Sequence, residues 1–129
     1  MIAIDTSALL AILKGEADAP AIAAAIERAG QIIIGAPTCV EARMVAAGQR
    51  PSVRDLLDEL LIDIGAETID FTARHLEAAT QAFERFGKGR HPAALNFGDC
   101  MAYAVARVAE CPLLYKGQDF ARTDIRSAR

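Results

Sequence analysis

Four acidic residues sit where elements of secondary structure begin or end: Asp5, Glu41, Asp99 and Asp119. Each has a local explanation. Asp5 can cap the helix that follows it. Thr38 to Glu41 and Asn96 to Asp99 both have the spacing of a capping box, and Asp119 can be a turn residue after Gly117. Taken together they ask for more. Asp5 follows the apolar run Ile2-Ala3-Ile4, and Glu41 and Asp99 are flanked by Val40, Ala42, Cys100 and Met101. Ionised carboxylates among apolar neighbours are costly unless positive charge compensates them, and no fixed set of lysines or arginines accompanies all four. A divalent cation would relieve the repulsion, and oxygen-only ligands suit Mg²⁺, or Mn²⁺, better than Zn²⁺. Asp5 and Asp99 are the expected principal metal ligands. Glu41 would orient water or a second ion, and Asp119 would complete the negative pocket. His75, expected in the middle of a helix, and His91, in a basic loop, lack the spacing of a zinc site. A hard-metal carboxylate site of this kind is suited to phosphodiester hydrolysis, and no glycine-rich nucleotide loop points to a nucleotide-dependent transferase.

The elements that must position these residues alternate along the chain. Met1 to Ile4 and Gln31 to Gly35 read as strands buried on both faces, Ala66 to Ile69 as a short strand and Leu113 to Tyr115 as a final apolar strand. Between them lie helical stretches. Ala8 to Lys14 is expected to be capped by Thr6 and Ser7, and a second helix opens at Asp18 and Pro20 and closes at Gly30. A third runs from Pro37 to Gly48, and a fourth starts at Ser52 with Val53, Leu56, Leu57, Leu60 and Leu61 on one face. A fifth starts at Asp70 or Thr72 and carries Leu76, Ala79, Ala82, Phe83 and Phe86, and the last opens at Asn96. Gly87 to Pro92 reads as an exposed basic loop and Arg122 to Arg129 as a polar tail. Strands alternating with helices imply a single α/β domain over residues 1–129, with a parallel central sheet flanked by helices in three layers. Ligands gather at the carboxyl ends of such strands, the edge at which the four acidic residues are expected to converge.

Composition agrees with a packed domain. The 129 residues are 53% apolar and 24% charged, which excludes a disordered chain. With 14 Lys+Arg against 17 Asp+Glu the formal net charge is −3, which excludes nucleic-acid binding by bulk positive charge but not a nuclease with an acidic centre. Cys39, Cys100 and Cys111 form no CxxC pair and read as buried apolar residues. No basic leader precedes Asp5, and the longest apolar runs are far too short to span a bilayer. The expectation is a reduced, soluble, cytoplasmic protein without membrane contact.

At this point the motifs resemble a known family. Ile2-Ala3-Ile4-Asp5-Thr6-Ser7-Ala8-Leu9 resembles the opening of PIN domains, and Val40-Glu41-Ala42 resembles their second acidic motif. Asn96-Phe97-Gly98-Asp99-Cys100-Met101-Ala102-Tyr103-Ala104-Val105-Ala106 is similar to the third, and Leu113 to Ile125 is similar to the C-terminal segment of the VapC-type subgroup. The resemblance runs in order from residue 2 to about 125. It implies a PIN fold and a Mg²⁺-dependent endoribonuclease acting as the toxin of a type II toxin–antitoxin pair, homodimeric and neutralised by a VapB-like antitoxin. It also implies that Asp5, Glu41 and Asp99 are the metal-binding acidic residues. Many PIN domains place the fourth aspartate after Thr-Asn or Thr-Arg. Here Lys116-Gly117-Gln118 precedes Asp119, so Asp119 is the choice and Asp124 the alternative.

RNA must approach an acidic pocket, and Lys14, Arg43, Lys88, Arg90, His91 and Lys116 are the candidates to meet its phosphates, with 88–91 foremost. Thr6 or Ser7 is expected to hydrogen-bond Asp5. Ala21 to Ala29 and Val53 to Ile64 serve either self-association or simple core packing. Two other readings are a receiver-like phosphoacceptor and a catalytically idle PIN module that binds RNA or a partner. The first leaves Glu41 and Asp99 without a role, and the intact acidic residues oppose the second.

Overall fold

The computed structural model describes residues 1–129. Four strands, β1 (Ile2–Ile4), β2 (Ile32–Gly35), β3 (Ala66–Ile69) and β4 (Leu113–Leu114), form one all-parallel sheet in the order β3-β2-β1-β4. The helices are α1 (Thr6–Leu13), α2 (Ala19–Arg28), α3 (Ala36–Ala47), α4 (Pro51–Arg54), α5 (Leu57–Asp63), α6 (Ala73–Phe86) and α7 (Phe97–Val108). A single 3₁₀ turn follows at Phe120–Arg122. The three-layer expectation holds. Successive strand residues point to opposite faces, so Ala3, Ile33 and Leu113 pack with α6 and α7 while Ile2, Ile4, Ile32, Ile34 and Leu114 pack with α1 to α5. That two-sided burial is why β1, β2 and β4 are apolar without alternation, whereas β3, at the sheet edge, is only half-buried and leaves Glu67 and Thr68 exposed. No helix is long and apolar enough to cross a membrane.

The strand order creates the site. The chain steps outward from β1 to β2 to β3, then crosses back so that β4 lies on the other side of β1. The order reverses between β1 and β4, and crevices of open α/β sheets form at such a reversal. Helix α7 runs back from the carboxyl edge to feed β4, which puts its first turn beside the ends of β1 and β2. It comes in close at Gly35, where a Cβ would lie 2.6 Å from Val105 Cγ2.

Several elements depart from expectation. Thr6 and Ser7 are the first residues of α1, and Asp5 is its N-cap. The single helix expected after Ser52 is two short ones, α4 and α5, broken at Asp55 and Leu56. The break lets Val53 and Leu57 both reach the core and leaves Leu56 and Ile62 exposed. Ile22 and Ala25 of α2 are core residues. Helix α6 is rotated from the face its large residues suggest. It packs on α7 through Ala78, Ala79, Ala82 and Phe86, because alanines permit the closer approach, and Leu76 and Phe83 are left exposed. The tail is not free: Leu113 N–H donates to Arg126 O, and Ala128 N–H to Leu113 O, adding a short bridge beside β4. All three cysteines are free and buried.

Candidate active site

Asp5 follows β1 in extended geometry. Its Oδ2 accepts the Ser7 backbone N–H at 3.0 Å and the Ser7 hydroxyl at 2.6 Å. Ser7 Oγ in turn accepts the Lys116 N–H at 3.0 Å, which ties the exit of β4 to the start of α1. The second oxygen, Oδ1, is buried without a partner, and the residue is only 4% exposed. Burial pushes the Asp5 carboxyl up to about 6; repulsion from Asp99 and Glu41 adds to the rise and the Ser7 bonds oppose it. Of the two hydroxyls expected on Asp5, Ser7 alone binds it.

Thr6 goes elsewhere, donating to Glu41 Oε1 at 2.6 Å. Glu41 lies in the second turn of α3. The capping box with Thr38 does not form, because α3 already starts at Ala36 with Gly35 as its N-cap and Thr38 is buried inside the helix. Glu41 is therefore free to face the starts of α1 and α7. It lies against Gly98, where a side-chain carbon would overlap its carboxylate.

Asp99 does form the capping box. Asn96 N–H donates to Asp99 Oδ2 at 3.0 Å, and Asp99 N–H donates to Asn96 Oδ1 at 2.9 Å. The cap fixes the rotamer and occupies one oxygen, so the local role and a role in the pocket coexist. Burial raises the Asp99 carboxyl, and the charges of Asp119 and Glu41 raise it further against the Asn96 bond. Asp119 sits at the entry to the 3₁₀ turn after β4, near enough to Asp99 for that repulsion.

The structure thus brings Asp5, Glu41, Asp99 and Asp119 to one edge from four separate elements, and none of the four enters an ion pair. Asp124, the alternative to Asp119, belongs to another network. Tyr103 OH donates to its Oδ1 at 2.7 Å, and Arg85 and Arg107 lie 3.2 and 3.7 Å from its Oδ2. The histidines stay outside the cluster. His75 lies in the first turn of α6 rather than mid-helix, where its Nδ1 accepts the Thr72 N–H at 3.0 Å, and His91 Nδ1 accepts the Ala93 N–H at 3.0 Å.

The four carboxylates are neighbours rather than a closed chelate, with no three acidic, His or Cys side chains gathered for ligation. They nevertheless fit a hard divalent cation: the donors are all oxygens, Asp5 Oδ1 is an orphaned buried acceptor, and the Asp5 and Asp99 carboxyls, raised by burial first and by repulsion from neighbouring carboxylates second, are ones whose ionised form such a cation would stabilise. Sequence reasoning missed Gly98, which makes room for the Glu41 carboxylate, and the Thr6–Glu41 bond. A glycine inside the first turn of a helix, where it is unfavourable, was the available signal for the first.

Comparison with known proteins agrees with this geometry. The profile of the family described as PIN domain matches residues 2–126. Ribonuclease VapC36 of Mycobacterium tuberculosis is 44% identical over 124 residues, covering 95% of this chain and 89% of the relative. Ribonuclease VapC42 of the same species is 41% identical over 127 residues, covering 97% of both. Among solved structures, the sarcin-ricin loop cleaving toxin VapC20 of M. tuberculosis superposes with a TM-score of 0.77 at 15% identity over 97% of this chain and 96% of its own. VapBC2 of Rickettsia felis, bound to a promoter DNA fragment, does so with 0.74 at 15% identity over 98% and 96%. With strand ends, acidic motifs and near-full-length relatives in agreement, the chain belongs to the PIN-domain family, within its VapC branch.

Proposed function

We propose that this protein is a metal-dependent endoribonuclease that hydrolyses RNA phosphodiester bonds, the toxin of a type II pair. It acts in the cytoplasm and is held in check by a VapB-like antitoxin. The observation that carries the reading is the buried Asp5 carboxylate, with Oδ1 unpartnered and Glu41 and Asp99 close enough to raise its pKa. The names of the VapC ribonuclease relatives support RNA as substrate. Solved toxin–antitoxin complexes of the same fold, one from Klebsiella pneumoniae with a TM-score of 0.70, support the partner.

Asp5 and Asp99 would hold the ion, Mg²⁺ or Mn²⁺. When bound, it supplies positive charge to the scissile phosphate and makes an attacking water more acidic. Ser7 fixes the Asp5 carboxylate through Oδ2, which leaves the unpartnered Oδ1 available as a ligand. Thr6 holds Glu41 by one oxygen, which leaves the other to accept a proton from the water and orient it. Asp119 adds negative charge at the mouth and raises cation affinity. A receiver-like phosphoacceptor would need its lysine at the aspartate, whereas the Lys116 ammonium is paired with Glu16.

The test is cleavage of single-stranded RNA by the purified protein across a Mg²⁺ titration, with Asp5→Asn and Asp99→Asn alongside. The expected result is metal-dependent cleavage abolished by EDTA and reduced about 10³-fold or more in either variant, as when a main electrostatic group is lost. Cleavage unaffected by EDTA, or equal in the variants, would overturn the reading. Phosphate taken up at Asp5 from a small phosphodonor would replace it with the receiver.

A further inference from the structure

We infer that Lys116 binds an RNA phosphate flanking the scissile one, and that Glu16 is a positioning residue that holds the Lys116 ammonium at the rim of the acidic pocket instead of inside it. The inference rests on the ribonuclease reading above and names the residue that receives its substrate.

Lys116 leaves β4 at the point where the sheet order reverses. Its backbone N–H donates to Ser7 Oγ at 3.0 Å, and that hydroxyl donates to Asp5 Oδ2 at 2.6 Å. Its main chain is therefore two hydrogen bonds from the most buried carboxylate of the site. The side chain turns away from Asp5 and pairs with Glu16, just beyond the end of α1. Glu16 also takes Lys14, at 3.5 Å. The two lysine side chains are 39% and 42% exposed, and Glu16 between them 24%. Hydrogen bonding from Lys116 keeps the Glu16 carboxyl below its ordinary range. The group carries two positive charges against one negative, beside a pocket of four carboxylates without an ion pair.

That imbalance needs a physical reason. An unrestrained lysine whose main chain lies so near Asp5 would fold onto that carboxylate, because an unpaired, desolvated carboxylate attracts it more strongly than water does. It would then occupy the place of the divalent cation. Glu16 offers it a competing carboxylate farther out. An ammonium has three donors, so Lys116 can keep Glu16 and still meet a phosphate oxygen. A polyanion repelled by the four carboxylates would find its first attraction there. Of the other sequence candidates, Arg43 pairs with Asp58 at 3.2 Å, Arg90 lies over the Phe83 ring at 5.0 Å and the His91 ring packs on Phe86, while Lys14 shares Glu16 with Lys116 and Lys88 forms no salt bridge and is not tied to the β4 exit beside Asp5.

The test measures kcat and KM for a single-stranded RNA oligonucleotide between about 50 and 200 mM salt, for the wild type, Lys116→Ala, Lys116→Gln, Lys116→Arg and Glu16→Gln. Each phosphate contact to a single strand contributes about 0.7 to the slope of log affinity against log salt. Lys116→Ala and Lys116→Gln should raise KM about 5- to 10-fold at the lowest salt and flatten the slope by about 0.7, with kcat within about 2-fold. Lys116→Arg should restore KM. Glu16→Gln should raise the Mg²⁺ concentration for half-maximal activity several-fold, and adding Lys116→Ala to it should return that value to the wild-type level. Wild-type KM and salt slope in both neutral variants would overturn the substrate contact, and an unchanged Mg²⁺ requirement in Glu16→Gln would overturn the positioning role. Either result leaves the ribonuclease reading standing, whereas a wild type that neither binds nor cleaves RNA removes both.

Discussion

The carboxylate of Glu41 rests against the bare α-carbon of Gly98, so closely that a methyl group at position 98 would overlap its Oε2. The contact joins the second turn of α3 to the first turn of α7, the helix that carries Asp99. Gly98→Ala should therefore push Glu41 off its hydrogen bond with Thr6. Alanine's better helix propensity, about 1 kcal/mol, works against any loss of stability. RNA cleavage is expected to fall about 10- to 100-fold, as when a group supporting a metal site is disturbed, with the thermal midpoint within a few degrees of wild type. Full activity in this variant would mean that Glu41 has no part in the chemistry.

Stability of the metal-free protein should depend on pH through Asp5. Its folded pKa of about 6 lies above the unfolded value of about 3.9, so between the two the native state binds more protons than the unfolded chain. Stability therefore falls as pH rises through this window, and the deficit is complete above it. A shift of about two units corresponds to about 3 kcal/mol. Asp99, shifted the same way, adds to it. Without metal, Asp5→Asn should melt several degrees above wild type at pH 8, and the gap should close near pH 4. Mg²⁺ should close it at pH 8 by stabilising the wild type. Melting curves at both pH values, with and without Mg²⁺, decide it, and identical curves for the two proteins throughout would refute the buried-charge account.

Thr6→Val keeps the side-chain shape but replaces the hydroxyl by a methyl and so removes the 2.6 Å bond to Glu41. The expected outcome is a 10- to 100-fold rise in the Mg²⁺ concentration for half-maximal cleavage, roughly the effect of losing an orienting partner. Ser7→Ala should do the same through Asp5 and also leave the Lys116 N–H without its acceptor. Metal titrations followed by cleavage rate test both. A requirement unchanged in either variant would show that the hydroxyl is only structural.

Asp124 should behave as a stability residue. It anchors the C-terminal segment through Tyr103, whose hydroxyl is pushed up to about 12 by burial first and by this bond second. Tyr103→Phe or Asp124→Asn should each cost about 1.5–3 kcal/mol, the range for a hydrogen bond to a charged group. The double variant should cost less than the sum. Denaturant unfolding measures this, and the Mg²⁺ requirement of Asp124→Asn should match wild type. A Mg²⁺ requirement raised as far as in Asp119→Asn would place Asp124 in the pocket after all.

The sequence by itself determined the strands, the helix ends marked by Asp18, Gly48 and Asn96, and the three motifs that carry Asp5, Glu41 and Asp99. Those features are local: a strand buried on both faces is apolar at every position, and a cap lies within a few residues of what it caps. The tertiary structure decided the rest. Asn96 and Thr38 stand at the same spacing from an acidic residue, yet only Asn96 forms a capping box, because α3 had already begun at Ala36. Asp119 and Asp124 are five residues apart on one segment, and the 3₁₀ turn between them sends one toward Asp99 and the other to Tyr103. Leu76 and Phe83 are large apolar residues of α6, yet both stay exposed because α6 meets α7 through its alanines. Which partner a carboxylate or a helix face meets depends on residues distant in the chain, and only the crossing of β4 beside β1 brings those residues within reach.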